Sequence, residues 1–288
     1  MNKIIVIVGP TGVGKTKLSI ELAKKFNAEI INGDSIQIYR DLNIGSAKAS
    51  IKEQEGVTHH LLDFKNINEE YTVYDYQRDC RNKIKEIQSR NKNVIIVGGT
   101  GLYIKAALFD YKFLEEEKTK KNYDNYTNDE LYNLLLKKNK NTSIHKNNRQ
   151  RVIRALEKEN NNIENNANKL LYNVIFIGLT TDRMTLYQKI NDRVDKMIDN
   201  GLLNEVKNLY NKNPNSKALN TAIGYKELIR YIKNEMSLEE AIELIKKNSR
   251  RYSKRQYTWF NNQMDVNWFN VDYNNFNKTI DEVTKKCV

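Results

Sequence analysis

The chain is short of the residues that staple small folds or cage metals. Only two cysteines, Cys80 and Cys287, stand in 288 residues, far apart, which excludes a disulfide framework and a cysteine-rich metal site. Histidine is scarce too, with three residues in all. Two of them, His59 and His60, are adjacent, so their side chains diverge and zinc binding between them is not expected. Long apolar runs are also missing. Nothing approaches the ~20 residues of a membrane helix, and the run that opens the chain in MNKIIVIVGP is too short for a signal-peptide core. The expectation is a cytoplasmic protein with no membrane partner.

Hydrophobic residues make up 39% of the chain and charged ones 29%, the balance of a globular protein with room for a full core. Lys and Arg number 48 against 36 Asp and Glu, a net charge of +12. Such an excess suits a polyanionic partner, because basic side chains gain by displacing counterions from phosphate. The alternative is a Lys- and Asn-rich composition imposed by an AT-rich genome.

Along the chain, Ile4 to Val8 is a continuous β-branched run, as a strand buried on both faces should be. A glycine loop follows, then helical spacing through Leu18, Leu22 and Phe26, and a second strand at Glu29 to Ile31. Thr72 and Asp75 form a capping box that opens a helix with Val73, Tyr76, Cys80, Ile84 and Ile87 on one face. Val94 to Val97 is another buried strand, running into Gly98-Gly99-Thr100-Gly101. This alternation predicts a P-loop NTPase-like α/β fold, a parallel sheet flanked by helices. Residues 113–169 read as a small helical insertion, with a Thr127–Glu130 box and a second helix through Arg154. Residues 1–112 and 170–288 are then the core. Its strand pattern returns at Val174 to Leu179, helices fill the last third, and Met264 to Phe269 is a candidate edge strand.

The segment Gly9-Pro10-Thr11-Gly12-Val13-Gly14-Lys15-Thr16 fits the phosphate-binding P-loop pattern and sits between a strand and a helix, the context the pattern requires. Its backbone N–H groups and helix N-terminus suit a diphosphate; Lys15 neutralises phosphate oxygens and the Thr16 hydroxyl can hold Mg²⁺. A phosphoryl-transfer enzyme usually places an Asp at the end of a second buried strand. Here Val94 to Val97 ends in glycines, which let another backbone or a flat substrate approach closely. The acid, Asp34, follows the second strand instead.

Three segments together resemble the tRNA dimethylallyltransferase (tRNA isopentenyltransferase) family. They are Gly9 to Thr16, Asn32-Gly-Asp-Ser-Ile-Gln-Ile-Tyr39 running on to Ile44-Gly-Ser-Ala-Lys48, and Gly98 to Tyr103. Further matches are His59 to Asp63, Arg151 to Glu157, Gly224 to Leu228 and Lys254 to Trp259, in family order along almost the whole chain. The resemblance implies a P-loop that holds dimethylallyl diphosphate rather than ATP. It also implies transfer of the prenyl group to N6 of the adenine next to the anticodon of tRNA. Asp34 is then the base, Thr100 touches both substrates, and Lys15 with Thr16 binds the diphosphate and Mg²⁺. Arg183 and Arg193 are candidates for further diphosphate contact, or simply solvated helix charges.

On the RNA side the resemblance points to Asp34, Ser35, Ile36, Gln37 and Thr100 around the flipped adenine. It points to Gln150, Arg151 and Arg154 on the insertion, as the grip on the anticodon stem-loop, and to Gly224, Tyr225, Lys226, Lys254, Arg255 and Gln256. The run Lys246, Lys247, Arg250, Arg251, Lys254 and Arg255 would hold phosphates, which positions RNA without reading its sequence. His59 and His60 would line the acceptor side, and a monomer is expected. The insertion is short and Asn-rich for the family, with Asn-Thr-Ser where the family has an Asp-Pro element. Three other readings remain: prenylation of a free adenine nucleotide, a P-loop small-molecule kinase, and a nucleotide-gated RNA-binding protein.

Overall fold

The computed structural model describes residues 3–113, 122–157 and 168–288. Strand β1 (Ile4–Val8) is buried throughout, with Ile4, Val6 and Val8 in one core and Ile5 and Ile7 in the other. A strand covered on both faces has no use for polar alternation. Helix α1 (Lys15–Lys25) lays Leu18 and Leu22 on the second core. The chain continues through β2 (Ala28–Asn32), the short α2 (Ile51–Gln54), β3 (His59–His60), α3 (Val73–Ser89), β4 (Asn93–Val97) and α4 (Gly101–Leu108).

The box that opens α3 is formed as expected. The Thr72 hydroxyl accepts from Asp75 N at 3.2 Å, and the Asp75 carboxylate accepts from Thr72 N at 2.9 Å. Tyr76, Cys80, Ile84 and Ile87 are buried along its inner face, and Val73 packs only at the margin. Strand β3 was not anticipated. Two residues are too few for any periodicity to show.

The chain divides into two units, Met1–Tyr111 with Ala167–Val288, and Lys112–Asn166. In the second, α5 (Asn128–Lys138) and α6 (Arg149–Glu157) pack around Leu131, Leu135 and Val152. The Arg149 guanidinium fixes this pair by donating to the carbonyls of Tyr123 at 2.7 Å and Tyr126 at 2.6 Å.

The first unit resumes with β5 (Val174–Thr180), α7 (Arg183–Asp199), α8 (Leu202–Lys212), α9 (Lys217–Thr221), α10 (Tyr225–Ile232), α11 (Leu238–Gln263), β6 (Asn267–Asn270) and α12 (Phe276–Cys287). The six strands lie in the order β3-β2-β4-β1-β5-β6, and every pair is parallel. This is the P-loop type of α/β sheet read from the sequence, with β6 as the expected edge strand. Helices α7 to α11 add Val194, Leu202, Leu219, Leu228, Ile245 and Phe260 to the first core, while α12 adds Ile280 and Val283 to the second. Among the described residues no helix is long and apolar enough to cross a membrane.

Candidate active site

A cleft of about 710 Å³ opens where β1, β2 and β4 end, the place where parallel α/β sheets bind ligands. Thr11, Gly12, Gly14, Lys15 and Thr16 of the glycine loop form one wall. Gly14 caps α1 in the left-handed conformation at φ 90°, with no side chain bonded to the first turn. The leading N–H groups of α1 therefore carry no side-chain cap, as an anion site needs. Lys15 Nζ donates to Gly9 O at 2.9 Å and Pro10 O at 2.7 Å. Burial, and next the charge of Arg193, push its pKa down to about 7, against the opposing pull of Asp34. Arg193 comes from α7, donates to the Thr11 hydroxyl and lines the same wall. Its own pKa is lowered, first by burial, yet a guanidinium stays protonated in proteins. Two basic side chains thus face one small volume, and a bound anion would favour the charged form of both.

Asp34 stands in the turn after β2 and lines the cleft. Its Oδ1 accepts from Ile36 N at 2.8 Å and Gln37 N at 3.3 Å, while Oδ2 accepts no hydrogen bond among the described residues. One carboxylate oxygen shapes the turn and the other is left to the cleft. The turn is pinned to the end of β4: Gly33 N donates to Val97 O at 2.8 Å and Thr100 N donates to Gly33 O at 3.1 Å. A Cβ at Gly98 would sit 2.2 Å from the carbonyl carbon of Gly33, so the two strand ends meet this closely only with glycine.

The remaining glycines of the Gly98–Gly101 segment admit protein rather than a flat substrate. A Cβ at Gly99 would meet Gln256 Nε2 at 2.1 Å, and one at Gly101 the Trp259 ring at 2.1 Å, both from α11. Gln256 Nε2 donates to Gly99 O at 3.0 Å, and its buried Oε1 has no hydrogen-bond partner among the described residues. Tyr252, also on α11, lines the cleft; burial, and then the charge of Asp34, push its phenol up to about 12. The third wall is apolar. Ile190, Val194 and Met197 of α7 lie there with Ala222, Ile223 and Ile245.

Comparisons with known proteins identify the family. A family model described as IPP transferase matches residues 37–263. A tRNA dimethylallyltransferase of Anoxybacillus flavithermus is 47% identical over 98% of this chain and 95% of its own length. The enzyme of that name from Bacillus licheniformis is 48% identical over 94% of the chain and 93% of its own. The chain belongs to the tRNA dimethylallyltransferase family.

Solved structures of the family agree. A tRNA isopentenylpyrophosphate transferase from Staphylococcus epidermidis superposes with a TM-score of 0.78 at 40% identity, covering 100% of this chain and 99% of its own. A eukaryotic dimethylallyltransferase described as acting on tRNA gives 0.78 at 32% identity, over 93% of this chain and 74% of that one.

Not every residue assigned from the family pattern reaches the cleft. Thr100 does not line it. Its hydroxyl accepts from Ser35 N at 3.0 Å and donates to Ser35 Oγ at 3.2 Å, which ties the start of α4 to the Asp34 turn. Ser35, Ile36 and Gln37 do line it. Val13 is fully buried, and Gly9 and Pro10 serve through the carbonyls that hold Lys15. Of the two candidate arginines, Arg183 is exposed over the Tyr187 ring, 5.1 Å from its centroid, and off the cleft wall, whereas Arg193 is on it. Tyr225 is fully buried, its hydroxyl bonded to Glu205 Oε1 at 2.6 Å, which leaves none of its side chain on the surface. Gly224, at φ 95°, is buried at the start of α10, while Lys226 lines the cleft.

His59 and His60 do not line the cleft. His60 Nε2 lies 2.6 Å from Glu29 Oε2 and His59 Nδ1 lies 2.8 Å from Val57 O. On α11, Lys246 is paired with Asp195 at 2.8 Å and Arg250 donates to Asn191 at 2.6 Å. Lys247, Arg251 and Lys254 are exposed, and Arg255 reaches the cleft. In the second unit Gln150, Arg151 and Arg154 are exposed on α6, while Arg149 is spent on its neighbours' carbonyls. The apolar wall escaped sequence reading, although Ile190, Val194 and Met197 recur at helical spacing on one face of α7.

Proposed function

We propose that the protein transfers a dimethylallyl group from dimethylallyl diphosphate to N6 of the adenine next to the anticodon of tRNA, releasing diphosphate. The observation that carries this reading is the single cleft shared by the cationic glycine loop, the free oxygen of Asp34 and an apolar wall. The diphosphate is held by the loop N–H groups, Lys15 and Arg193, and the prenyl group by Ile190, Val194 and Met197. The C1–O bond of the donor breaks, an N6–C1 bond forms, and the N6 proton passes to Asp34. Amine attack is assisted by that transfer because the N6 lone pair is delocalised into the ring. The leaving diphosphate gains charge in the transition state, and fixed cations stabilise that charge most where water is excluded.

Mg²⁺ fits this site through the Thr16 hydroxyl, which lines the cleft beside Lys15. Among the described residues no cluster of acids, histidines and cysteines could hold a metal alone. That donor set suits an ion bound with its diphosphate, since Mg²⁺ is usually held by few protein ligands plus phosphate oxygens. The bound ion would offset diphosphate charge. Ser35 and Gln37 flank the adenine. The exposed Arg251, Lys254 and Arg255 of α11, with Gln150, Arg151 and Arg154 of α6, supply phosphate contacts to the anticodon stem-loop. The enzyme acts in the cytoplasm as a monomer.

A kinase is disfavoured because β4, beside β1, ends in glycines rather than an acid. Labelled dimethylallyl diphosphate, Mg²⁺ and unmodified tRNA, incubated with the protein and no ATP, should yield labelled tRNA. Label only on free adenine nucleotide, or phosphate transfer from ATP, would refute the assignment.

A further inference from the structure

Beside the cleft, the loop after Tyr39 turns on itself and presents three successive backbone N–H groups to a single carboxylate. Glu205 of α8 accepts from Asn43 N at 3.3 Å, from Ile44 N at 2.9 Å and from Gly45 N at 3.2 Å. It also accepts from the Tyr225 hydroxyl at 2.6 Å. No Lys, Arg or His pairs with it among the described residues. Converging N–H groups of this kind form a nest for an anion, and here the protein fills it with its own side chain. The Tyr225 ring completes the seat: a Cβ at Gly45 would lie 2.5 Å from it, so the loop backbone rests directly on the ring.

The loop held this way is part of the cleft. Gly45, Ser46, Ala47 and Ala49 line it. It is also tied to the Asp34 turn, because Gln37 Nε2 donates to Ser46 O at 3.0 Å and to Ala47 O at 3.3 Å, while Gln37 N donates to Asp34 Oδ1 at 3.3 Å. A continuous hydrogen-bonded path therefore runs from Glu205 and Tyr225 through residues 43–47 and Gln37 to the carboxylate. The glycine loop and Arg193 stand outside it.

We infer that Glu205 and Tyr225 are positioning residues for the acceptor side of the cleft: they latch the 43–47 loop so that Gln37 and Asp34 meet the adenine, and leave donor binding untouched. This inference rests on the prenyl-transfer reading above. It also gives the Gly224-Tyr225 segment a role, with Tyr225 acting on the loop and not on RNA.

Glu205→Gln is the sharpest variant, since it keeps the shape of the side chain but turns an NH₂ group towards backbone donors. Hydrogen bonds to charged groups are strong enough that kcat/KM for tRNA should fall roughly 10- to 100-fold. The dissociation constant for inorganic diphosphate should stay within about twofold. Tyr225→Phe keeps the ring on Gly45 and removes one bond, so its loss should be about threefold to tenfold. Residues in one network couple, so the two losses should not add.

A second readout needs no activity. The amides of Asn43, Ile44 and Gly45 should exchange hydrogen slowly in the wild type and much faster in Glu205→Gln. Wild-type protein that prenylates no tRNA sinks the functional reading, while the exchange data still test the latch. Unchanged tRNA kinetics in Glu205→Gln, parallel loss of diphosphate binding, or amides that stay protected would each overturn the inference.

Discussion

Replacing Asp34 with Asn tests the chemistry with little disturbance of the fold. The Asn side chain keeps a carbonyl oxygen where Oδ1 accepts from Ile36 N at 2.8 Å and Gln37 N at 3.3 Å, so the turn should persist. What is lost is the basic oxygen facing the cleft. A positioned general base contributes about 10²- to 10⁴-fold, which corresponds to a barrier rise of roughly 3–5.5 kcal/mol. The donor site should change little, because two effects of the lost charge oppose each other. Asp34 raises the pKa of both Lys15 and Arg193, so its removal disfavours the charged lysine; the same removal relieves repulsion of the diphosphate. Single-turnover transfer of labelled prenyl group to tRNA at saturating donor reads the chemical step, and calorimetry reads donor binding. Asp34→Ala should lose the same rate and, in addition, both turn bonds, at about 1 kcal/mol each, visible as a lower melting temperature that Asn does not show. A rate for Asp34→Asn within tenfold of wild type, or donor and tRNA binding that weaken as much as the rate, would refute the role of Asp34 as base.

Gly98→Ala should destabilise the whole protein, since the added methyl meets the Gly33 backbone at 2.2 Å. Overpacking of this kind costs about 3 kcal/mol when backbone cannot yield, a fall of roughly 5–10 °C in melting temperature for a chain of this size. An unchanged melting curve would show that the strand ends separate freely. Metal-free binding of dimethylallyl diphosphate should weaken as pH rises from 7.5 to 9. Lys15, with a pKa of about 7 in the empty loop, is losing its charge there. A bound anion raises that pKa, so binding takes up a proton and affinity falls by up to about tenfold per pH unit; a flat calorimetric profile refutes this. Binding of tRNA should weaken with salt, and Arg251→Ala or Lys254→Ala should each reduce the log–log slope by about one. Filter binding across a salt series checks it, and slopes unchanged in both variants would remove α11 from the RNA surface.

Features governed by local physics were legible. Val94 to Val97 read as a strand because every residue is apolar and β-branched, and β4 extends it by one residue to Asn93. The capping boxes at Thr72 and Thr127 each close on the acid three residues on, since that geometry depends on one helical turn alone. Arg183 and Arg193 could not be told apart, because both lie on α7 and only its packing decides which faces the glycine loop. Tyr225 matched a family motif that says nothing of burial. Glu205 lies in none of the motifs read from the sequence, and the backbone N–H groups it holds lie some 160 residues away in the chain.

The sequence by itself determined the parallel sheet, the glycine loop and the Asp34 turn, because strand burial, glycine conformations and helix starts are set by neighbours a few residues apart. Only the tertiary structure decided what surrounds them: that α11 occupies the space the Gly98–Gly101 segment leaves open, that Arg193 rather than Arg183 joins Lys15, and that Thr100 bonds to Ser35 and Tyr225 to Glu205. Those choices depend on which faces of distant helices meet across the cleft, and periodicity marks a face as buried without saying what covers it.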